Sequence, residues 1–168
     1  MTRSPDHPIP AAVLTVSDSV HRGTRQDATG PAVAAALREH GFQVAATASA
    51  VVPDERPAIE REIVRLCGQA RLVATAGGTG VAARDVTPEA TAAVCERLLP
   101  GVSERMRSEG SRQNPNAILS RGLCGVRGTS LVLNLPGSPA GAVESLASVM
   151  DVLPHALELL AGKTGHGE

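Results

Sequence analysis

The sequence predicts an α/β domain in which helices cover both faces of a mostly parallel sheet. Short apolar segments rich in Val, Ala and Leu alternate with longer segments whose apolar residues recur at helical spacing. Polar or glycine-rich segments follow the predicted strands, as expected for consecutive βαβ units. No internal repeat and no linker divides the 168 residues, so a single domain is expected over residues 11–162.

The N-terminal quarter contains one predicted strand and one helix. Residues 1–10 hold three prolines and are expected to form a flexible tail. The apolar run 11–16 is the first predicted strand. The polar segment 17–29 is too long for a minimal turn and is therefore a candidate functional loop. Gly30 and Pro31 open a helix that runs to about Gly41, because proline is well tolerated in a first helical turn.

The middle of the chain predicts two more strand–helix pairs. Residues 42–52 form the second predicted strand, and residues 53–55 begin a second helix. Residues 71–76 form the third strand. A third helix is expected from Thr87 to about Leu99.

The pattern beyond Pro100 is less regular. Residues 102–111 are predicted to be a mostly polar helix, and residues 117–121 a short turn or helix. Residues 125–128 lead into the segment 129–135, which has the composition of a buried strand.

The C-terminal segment 140–161 is predicted to be one helix with an apolar face, kinked at Pro154 because proline removes a helical hydrogen bond. Residues 163–168 are expected to form a second flexible tail.

Composition excludes several classes of function. The net charge is −1 and the pI is near 6.5, so no overall field attracts nucleic acid or an anionic membrane. Phe42 is the only aromatic residue, which removes the usual platforms for stacking bases. No apolar run has the length of a signal peptide or of a membrane-spanning helix. A cytoplasmic protein is expected.

The cysteines and the basic residues have distinctive distributions. The three cysteines are widely spaced and contain no CxxC pair, so each is expected to be a small buried or half-buried apolar residue. Fifteen of the sixteen basic residues are arginine, which phosphate binding and genomic codon bias would explain equally well.

The segment 72–91 is the most informative part of the chain. An apolar strand ends in a run of glycines, an acidic residue follows, and Thr87-Pro88-Glu89 has the pattern of a helix start. Glycines allow a ligand to approach the backbone, and their N–H groups can bind phosphate. A carboxylate such as that of Asp85 can hold a metal ion against phosphates. The alternative is an ordinary βα loop in which Asp85 is a local cap.

Four polar segments follow predicted strands, and parallel strands would bring all four to one edge of the sheet. They begin at Ser17, Pro53, Gly77 and Pro136. From spacing alone, Asp54 fits a helix N-cap better than a metal ligand. Likewise, Ser138 could either cap the last helix or contact a ligand.

Five segments, in order, together resemble the MogA/MoaB family, which binds molybdopterin in molybdenum cofactor synthesis. The segments are Leu14 to Asp18; Asp27 with Gly30 and Pro31; Val52 to Glu55; Gly77 to Gly80 with Arg84 to Glu89; and Ala117 to Arg121 before Leu133 to Pro139. The resemblance covers residues 11–162, nearly the whole chain.

This resemblance implies a three-layer α/β/α sandwich that assembles as a homotrimer. It implies a molybdopterin adenylyltransferase, which uses ATP and Mg²⁺ to transfer AMP to the terminal phosphate of molybdopterin and releases pyrophosphate. Asp54 and Asp85 match the family's catalytic acids and would bind the metal, and Ser120 matches its substrate region. A downstream molybdate-insertion enzyme would be a partner.

The residues also suggest how substrate would be held. Arg84, Arg121 and Arg127 are candidates for binding phosphate or, alternatively, for solvated surface positions. Asp18 could shape a turn through its side chain. Asp18 and Asp27 could each either support another residue of the site or lie on the nucleotide side. The candidate substrate-binding residues are Ser17, Asp18, Gly77, Gly78, Thr79, Gly80, Thr87, Glu89, Ser120, Arg121, Pro136, Gly137 and Ser138.

Two alternatives to the enzyme stay open at this point. A MoaB-like protein could bind molybdopterin without transferring AMP. A generic nucleotide-binding α/β domain has only the fold in its favour.

Overall fold

A computed structural model of the chain describes residues 8–163, which form six strands and seven α-helices. The strands are β1 Ile9–Val16, β2 Phe42–Val52, β3 Leu72–Ala76, β4 Arg97–Leu98, β5 Cys124–Arg127 and β6 Ser130–Leu135. The helices are α1 Asp18–His21, α2 Thr29–Glu39, α3 Arg56–Cys67, α4 Thr87–Val94, α5 Pro100–Ser111, α6 Pro139–Val149 and α7 Leu153–Leu160, with a 3₁₀ helix at Pro115–Leu119.

The strands form one sheet in the order β2-β1-β3-β6-β5-β4. The four strands from β2 to β6 are parallel, and β5 and β4 are antiparallel to their neighbours. The polar segments after β1, β2, β3 and β6 therefore lie at one edge of the sheet, which confirms that prediction.

Alternate residues of the strands face two separate cores. On β1, Ala11 and Val13 pack in a core that includes residues of α2, α6 and α7, while Ala12 and Leu14 pack with residues of α3. The only aromatic residue, Phe42, is buried in the first core. This alternation produces the predicted three-layer α/β/α sandwich.

Several predicted boundaries differ from the structure. β1 begins at Ile9, two residues inside the predicted tail, because Ile9 and Pro10 pair with β2. The segment predicted only as a connection before β6 is the strand β5, which pairs antiparallel to β6. The tail residues 1–7 and 164–168 lie outside the described residues.

The predicted third helix is too long. α4 ends at Val94, where Cys95 takes an extended backbone with φ −99° and ψ 138°. The chain then forms β4, whose Arg97 and Leu98 pair with β5. This long-range pairing overrides the local helical pattern.

The predicted C-terminal helix is two helices. α6 ends at Val149 and α7 begins at Leu153, with Pro154 in the first turn of α7. Proline is accommodated best where the helical N–H would have no partner, so the chain breaks before Pro154 instead of kinking there. The cysteine prediction is confirmed, since Cys124 is buried and Cys67 and Cys95 are half-buried. Across residues 8–163, no helix is both long and apolar enough to span a membrane.

Candidate active site at the carboxyl edge of the sheet

A cleft of about 700 Å³ opens at the carboxyl edge of the parallel strands. It is lined by the ends of β1 and β3, by the first long loop, by the first two residues of the glycine loop (Gly77–Gly80) and by the segment after β6. The predicted site residues that line it are Ser17, Asp54, Gly77, Gly78, Gly137 and Ser138. This position is the one at which open parallel sheets bind ligands.

The first two glycines of the glycine loop are required by geometry. Gly77 has φ +105° and Gly78 has φ +66°, both in the region that side chains disfavour. A Cβ atom on Gly77 would lie 2.3 Å from the carbonyl oxygen of Val16, and one on Gly78 would lie 2.3 Å from Oγ1 of Thr87. The loop thus packs directly against the end of β1 and the start of α4.

The same loop leaves donors free. The N–H of Gly77 donates to the carbonyl of Leu135 at 3.1 Å. Within residues 8–163, the N–H groups of Gly78, Thr79 and Gly80 donate to no acceptor of the chain. Successive unpaired backbone N–H groups in a glycine turn are a suitable binding element for phosphate.

Thr87 holds the loop in place, but it does not cap α4 as the sequence suggested. It is the first residue of α4, and its buried hydroxyl donates to the carbonyl of Gly77 at 2.9 Å. Its N–H donates to the carbonyl of Gly78 at 3.0 Å.

Asp54 lies just beyond the end of β2 and does not cap α3. The N-cap residue of α3 is Glu55, which makes no side-chain capping bond. Oδ2 of Asp54 instead accepts a hydrogen bond from the N–H of Asp18 at 2.8 Å. Oδ1 lies 3.3 Å from the Cβ position of Gly78 and, within residues 8–163, accepts no hydrogen bond.

Burial and nearby carboxylates act on the acidity of Asp54. Burial has the largest effect and raises the pKa of Asp54. A backbone hydrogen bond from Asp18 and the charge of Arg84 lower this pKa, the charges of Asp18 and Asp85 raise it, and the net shift is upward.

Asp85 lies on the other side of the glycine loop. Its Oδ2 accepts from the N–H of Ala82 at 2.9 Å and lies 2.8 Å from the Cβ position of Gly80. Both acids therefore lie against the glycine loop, Asp54 at Gly78 and Asp85 at Gly80. The described residues contain no cluster of three or more His, Cys, Asp or Glu side chains that could hold a metal.

Arg121 braces the glycine loop from outside the cleft. Its N–H donates to the carbonyl of Thr79 at 2.8 Å, its Nε to that of Gly80 at 2.7 Å, and its Nη2 to that of Asp85 at 2.6 Å. Its Nη1 also pairs with Oε1 of Glu89, and this hydrogen bond lowers the pKa of Glu89. The structure therefore places Arg121 and Glu89 beside the loop, with the guanidinium already engaged.

Ser120 lines a second, smaller cavity of about 40 Å³. Its carbonyl and that of Gly122 accept hydrogen bonds from Nη1 of Arg107, at 3.4 and 3.1 Å. The same cavity is lined by Pro136 and by Ser103, whose buried hydroxyl lacks a partner among the described residues. The segment after β6 joins the two cavities, because Pro136 lines the small one and its neighbours line the cleft.

Two serines of the site cap helices. Ser138 is the N-cap of α6 and accepts from the N–H of Gly141 at 3.2 Å, with Pro139 in the first turn. Ser17 is the N-cap of α1 and accepts from the N–H of Val20 at 3.3 Å. The capping interpretation of Ser138 is thus confirmed, and both serines also border the cleft.

Asp27 has a bracing position. It accepts from the hydroxyl of Thr15 at 2.7 Å and from the N–H of Gly30 at 2.9 Å. A Cβ atom on Gly30 would lie 2.5 Å from both side chains, which explains why glycine occurs there. Thr29 completes this wall by donating to the carbonyl of Gly137 at 2.8 Å.

The three candidate arginines, Arg84, Arg121 and Arg127, do not line the cleft. Arg84 pairs with Asp18, and Arg127 donates to the carbonyl of Val94 at 2.7 Å, outside the cleft. Among the described lining residues, Arg25 is the only cation. Sequence reasoning missed Arg25, although the residue lies in the long first loop, which is itself a predicted functional segment.

A buried polar network supports the cleft from below. The amide nitrogen of Asn134 donates to the hydroxyls of Thr75 and Thr91 at 3.0 and 2.8 Å. Its oxygen accepts from the N–H of Leu123 at 3.0 Å. Because every polar atom of the Asn134 side chain is engaged, the network orients β6 against β3 and α4 at the level of the site.

Comparisons with known proteins agree on one family. The family described as "Probable molybdopterin binding domain" matches residues 12–155. The protein named molybdopterin adenylyltransferase from Helicobacter pylori strain J99 is 41% identical over 152 residues, which cover 89% of this chain and 86% of the relative. Its namesake from Escherichia coli K12 is 36% identical over 164 residues, covering 89% and 84%.

Solved structures lead to the same family. The molybdopterin biosynthesis enzyme MoaB from Thermus thermophilus has a TM-score of 0.83 and 51% identity, covering 92% of this chain and 97% of its own. A structure of MogA also has a TM-score of 0.83, with 38% identity and coverage of 90% and 99%.

Proposed function

The chain belongs to the molybdopterin-binding family that matches residues 12–155, as the MogA/MoaB resemblance predicted, and on this premise we propose that it is a molybdopterin adenylyltransferase. It transfers AMP from Mg-ATP to the terminal phosphate of molybdopterin in molybdenum cofactor synthesis. Support comes from the relatives of that name, which are 36–41% identical and match over 89% of this chain.

In this reaction an oxygen of the molybdopterin phosphate attacks the α-phosphorus of ATP. The bond from that phosphorus to the oxygen bridging to the β-phosphate breaks, and pyrophosphate leaves. The attacking phosphate is already ionised at neutral pH, so no general base is needed. Accordingly, the described residues that line the cleft include no histidine. Catalysis of such transfers depends mainly on positioning and charge neutralisation.

The observation that carries the proposal is the placement of Asp54 and Asp85 on the two sides of the glycine loop. Oδ1 of Asp54 would lie 3.3 Å from a Cβ atom added to Gly78, and Oδ2 of Asp85 would lie 2.8 Å from one added to Gly80. In each carboxylate, one oxygen accepts a backbone hydrogen bond and the other accepts none within residues 8–163.

This donor set fits Mg²⁺. Two carboxylates with free oxygens match an ion that takes one or two protein carboxylates and completes its shell with phosphates and water. When bound, Mg²⁺ would neutralise charge on the phosphates. Asp54 and Asp85 would hold it.

The remaining site residues bind and orient. The unpaired N–H groups of Gly78, Thr79 and Gly80 would donate to the phosphates of ATP, and Arg25 would add the one positive side chain among the described residues of the cleft. Ser120 lies in the adjoining small cavity. We propose that the cleft and the surface around the small cavity receive the two substrates, so that the phosphates meet at the glycine loop.

The direct test is to incubate the purified protein with molybdopterin, ATP and Mg²⁺ and to measure adenylylated molybdopterin and pyrophosphate. We expect Asp85→Asn and Asp54→Ala to remain folded and to lose turnover. Asp151→Asn, which alters an exposed acid paired with Arg105, is the matched control and should retain activity. Full activity in both site variants would reject this mechanism.

The same assay separates the alternatives. The second candidate is a MoaB-like protein that binds molybdopterin without transferring AMP. Tight molybdopterin binding with no AMP transfer would select it, whereas binding of ATP without any affinity for molybdopterin would select a generic nucleotide-binding domain.

The assembly and surroundings of the protein are also proposals. From the family resemblance we propose a homotrimer in the cytoplasm that passes adenylylated molybdopterin to a molybdate-insertion enzyme. Light scattering of the purified protein tests the assembly, and a mass other than three chains would reject it.

A further inference from the structure

The structure assigns Arg84 and Asp18 as a positioning pair that holds Asp54 in place beside the glycine loop. In this role Arg84 does not contact substrate, and it acts through Asp18 on a residue of the site. The inference deepens the proposed function and rests on it for its effect on turnover. Its structural part can be tested without any activity.

Arg84 and Asp18 form an ion pair with two hydrogen bonds. Nε of Arg84 donates to Oδ2 of Asp18 at 2.6 Å, and Nη2 donates to Oδ1 at 2.8 Å. Each donor meets its own oxygen, which is the paired arrangement that gives an arginine–carboxylate contact its directional specificity. This contact engages two of the five N–H donors of the guanidinium and fixes its orientation towards Asp18.

Asp18 contacts Asp54 through two hydrogen bonds. Oδ1 of Asp18 accepts from the N–H of Asp54 at 3.0 Å, while Oδ2 of Asp54 accepts from the N–H of Asp18 at 2.8 Å. These reciprocal bonds consume one oxygen of Asp54 and leave Oδ1 towards Gly78, at 3.3 Å from its Cβ position. The N–H of Asp18 therefore orients the Asp54 carboxylate, and the side chain of Asp18, which Arg84 engages, holds the backbone of Asp54.

Asp18, Asp54 and Arg84 belong to the loops that follow three neighbouring strands. Asp18 follows β1, Asp54 follows β2, and Arg84 follows β3 and immediately precedes Asp85. The pair therefore links three neighbouring loops at the carboxyl edge and ties the segment that carries Asp85 to the segment that orients Asp54.

The effect of Arg84 on folding stability should be small compared with its effect on turnover, which separates a positioning role from a purely structural one. The Arg84 side chain is 60% exposed and that of Asp18 21%, and exposed ion pairs contribute little to stability. Displacement of a reacting group by about 1 Å, by contrast, can lower a rate about 100-fold. Removing Arg84 should therefore affect turnover far more than folding.

The experiment tests Arg84→Ala, Asp18→Asn and the double variant that combines these two changes. Arg105→Ala is the control. The control removes another exposed, long-range ion pair, with Asp151 at 3.1 Å, away from the cleft. We expect kcat to fall about 10–100-fold in both single variants, with KM for ATP within about threefold. The double variant should be no worse than the more impaired single variant, because both changes break the same contact.

Arg84→Lys provides a further distinction. Lysine keeps the charge but lacks the planar fork, so it should restore only part of kcat. If Arg84 instead bound substrate phosphate, its loss would raise KM for ATP, Asp18→Asn would leave KM unchanged or lower it, and the two effects would multiply. That pattern would overturn the inference.

A second measurement does not depend on activity. Amide hydrogen exchange at Asp18 and Asp54 should be at least about 10-fold faster in Arg84→Ala and unchanged in Arg105→Ala, because the reciprocal bonds would open. Unchanged exchange at both amides would reject the positioning role. If exchange changes as expected but the wild-type protein transfers no AMP, the proposed function fails while the structural inference stands.

Discussion

Replacing Gly78 by alanine is the sharpest test of how the glycine loop is built. Gly78 has φ +66°, and an added Cβ would lie 2.3 Å from Oγ1 of Thr87 and 3.3 Å from both Cβ of Thr87 and Oδ1 of Asp54. Two separate penalties are expected, one from the backbone conformation and one from the contact with Thr87.

The size of each penalty can be worked out from the structure. The left-handed conformation costs an L-residue about 1–2 kcal/mol. The methyl group also displaces the buried hydroxyl of Thr87, which donates to Gly77 at 2.9 Å, and loss of a buried hydrogen bond costs about 1–3 kcal/mol. The free energy of unfolding should thus fall by about 2–5 kcal/mol, which lowers Tm by roughly 4–20 °C in a chain of this size.

Urea denaturation followed by circular dichroism measures this change. Gly128→Ala is the matched control, since Gly128 has φ +57° but no atom within 4 Å of its Cβ position, so only the conformational penalty applies. In a Thr87→Ala background, most of the extra cost of Gly78→Ala should disappear. Equal destabilisation by Gly78→Ala and Gly128→Ala would show that the loop does not pack on Thr87 as described.

Three further predictions concern charge and reactivity. Because the pKa of Asp54 is raised, ionisation of this carboxylate lowers folding stability as pH rises through that pKa. Asp54→Asn should therefore unfold at a higher urea concentration than wild type at pH ~7 but not at pH ~3. An equal difference at both pH values would contradict this prediction. Arg25→Ala should weaken the binding of tripolyphosphate, measured by calorimetry, about 10-fold because a charge-assisted hydrogen bond is lost. The control Arg22→Ala changes a residue of the same loop that does not line the cleft, and it should alter the affinity less than about twofold. Equal effects of the two changes would show that Arg25 is not part of the site. Burial raises the pKa of the Cys67 and Cys95 thiols to about 11 and that of the Cys124 thiol to about 12. Iodoacetamide at pH ~8 should therefore alkylate the folded protein at least about 10-fold more slowly than the unfolded chain, as followed by mass spectrometry. Equal rates would contradict the burial of the thiols.

Much of the fold could be predicted because its information is local. The parallel strands are short apolar runs, and their loops begin with residues that cannot continue a strand. Strand β2, Phe42–Val52, has the bounds that the sequence predicts. Once the strands are parallel, topology brings Asp54 and Asp85 to one edge, although the acids are 31 residues apart in the chain.

The missed elements depend on long-range partners. β4 and β5 are two and four residues long and exist because they pair with each other and with β6. No local pattern of two or four residues distinguishes such strands from a connection. The same limit applies to Asp54, whose spacing suits a helix cap and whose actual contact is with Asp18, 36 residues away.

The arginines show why residue type alone could not identify the phosphate contact. Several of them donate to backbone carbonyls of distant segments. Arg127 donates to the carbonyl of Val94, and Arg71 donates to the carbonyls of Thr129 and Leu157 at 2.7 and 2.8 Å. A lysine presents its donors at a single nitrogen, whereas the guanidinium spans two acceptors on different segments.

This use of arginine has a physical reason in the composition. With one aromatic residue, the chain has few large side chains with which to pack its loops against the sheet. Arginine side chains supply those connections and are then less free for ligands; the guanidinium of Arg121, for example, donates to the carbonyls of Gly80 and Asp85 at the glycine loop. It follows that a phosphate-binding arginine in this protein should be sought among those without an internal acceptor. Of the residues described around the cleft, that criterion selects Arg25.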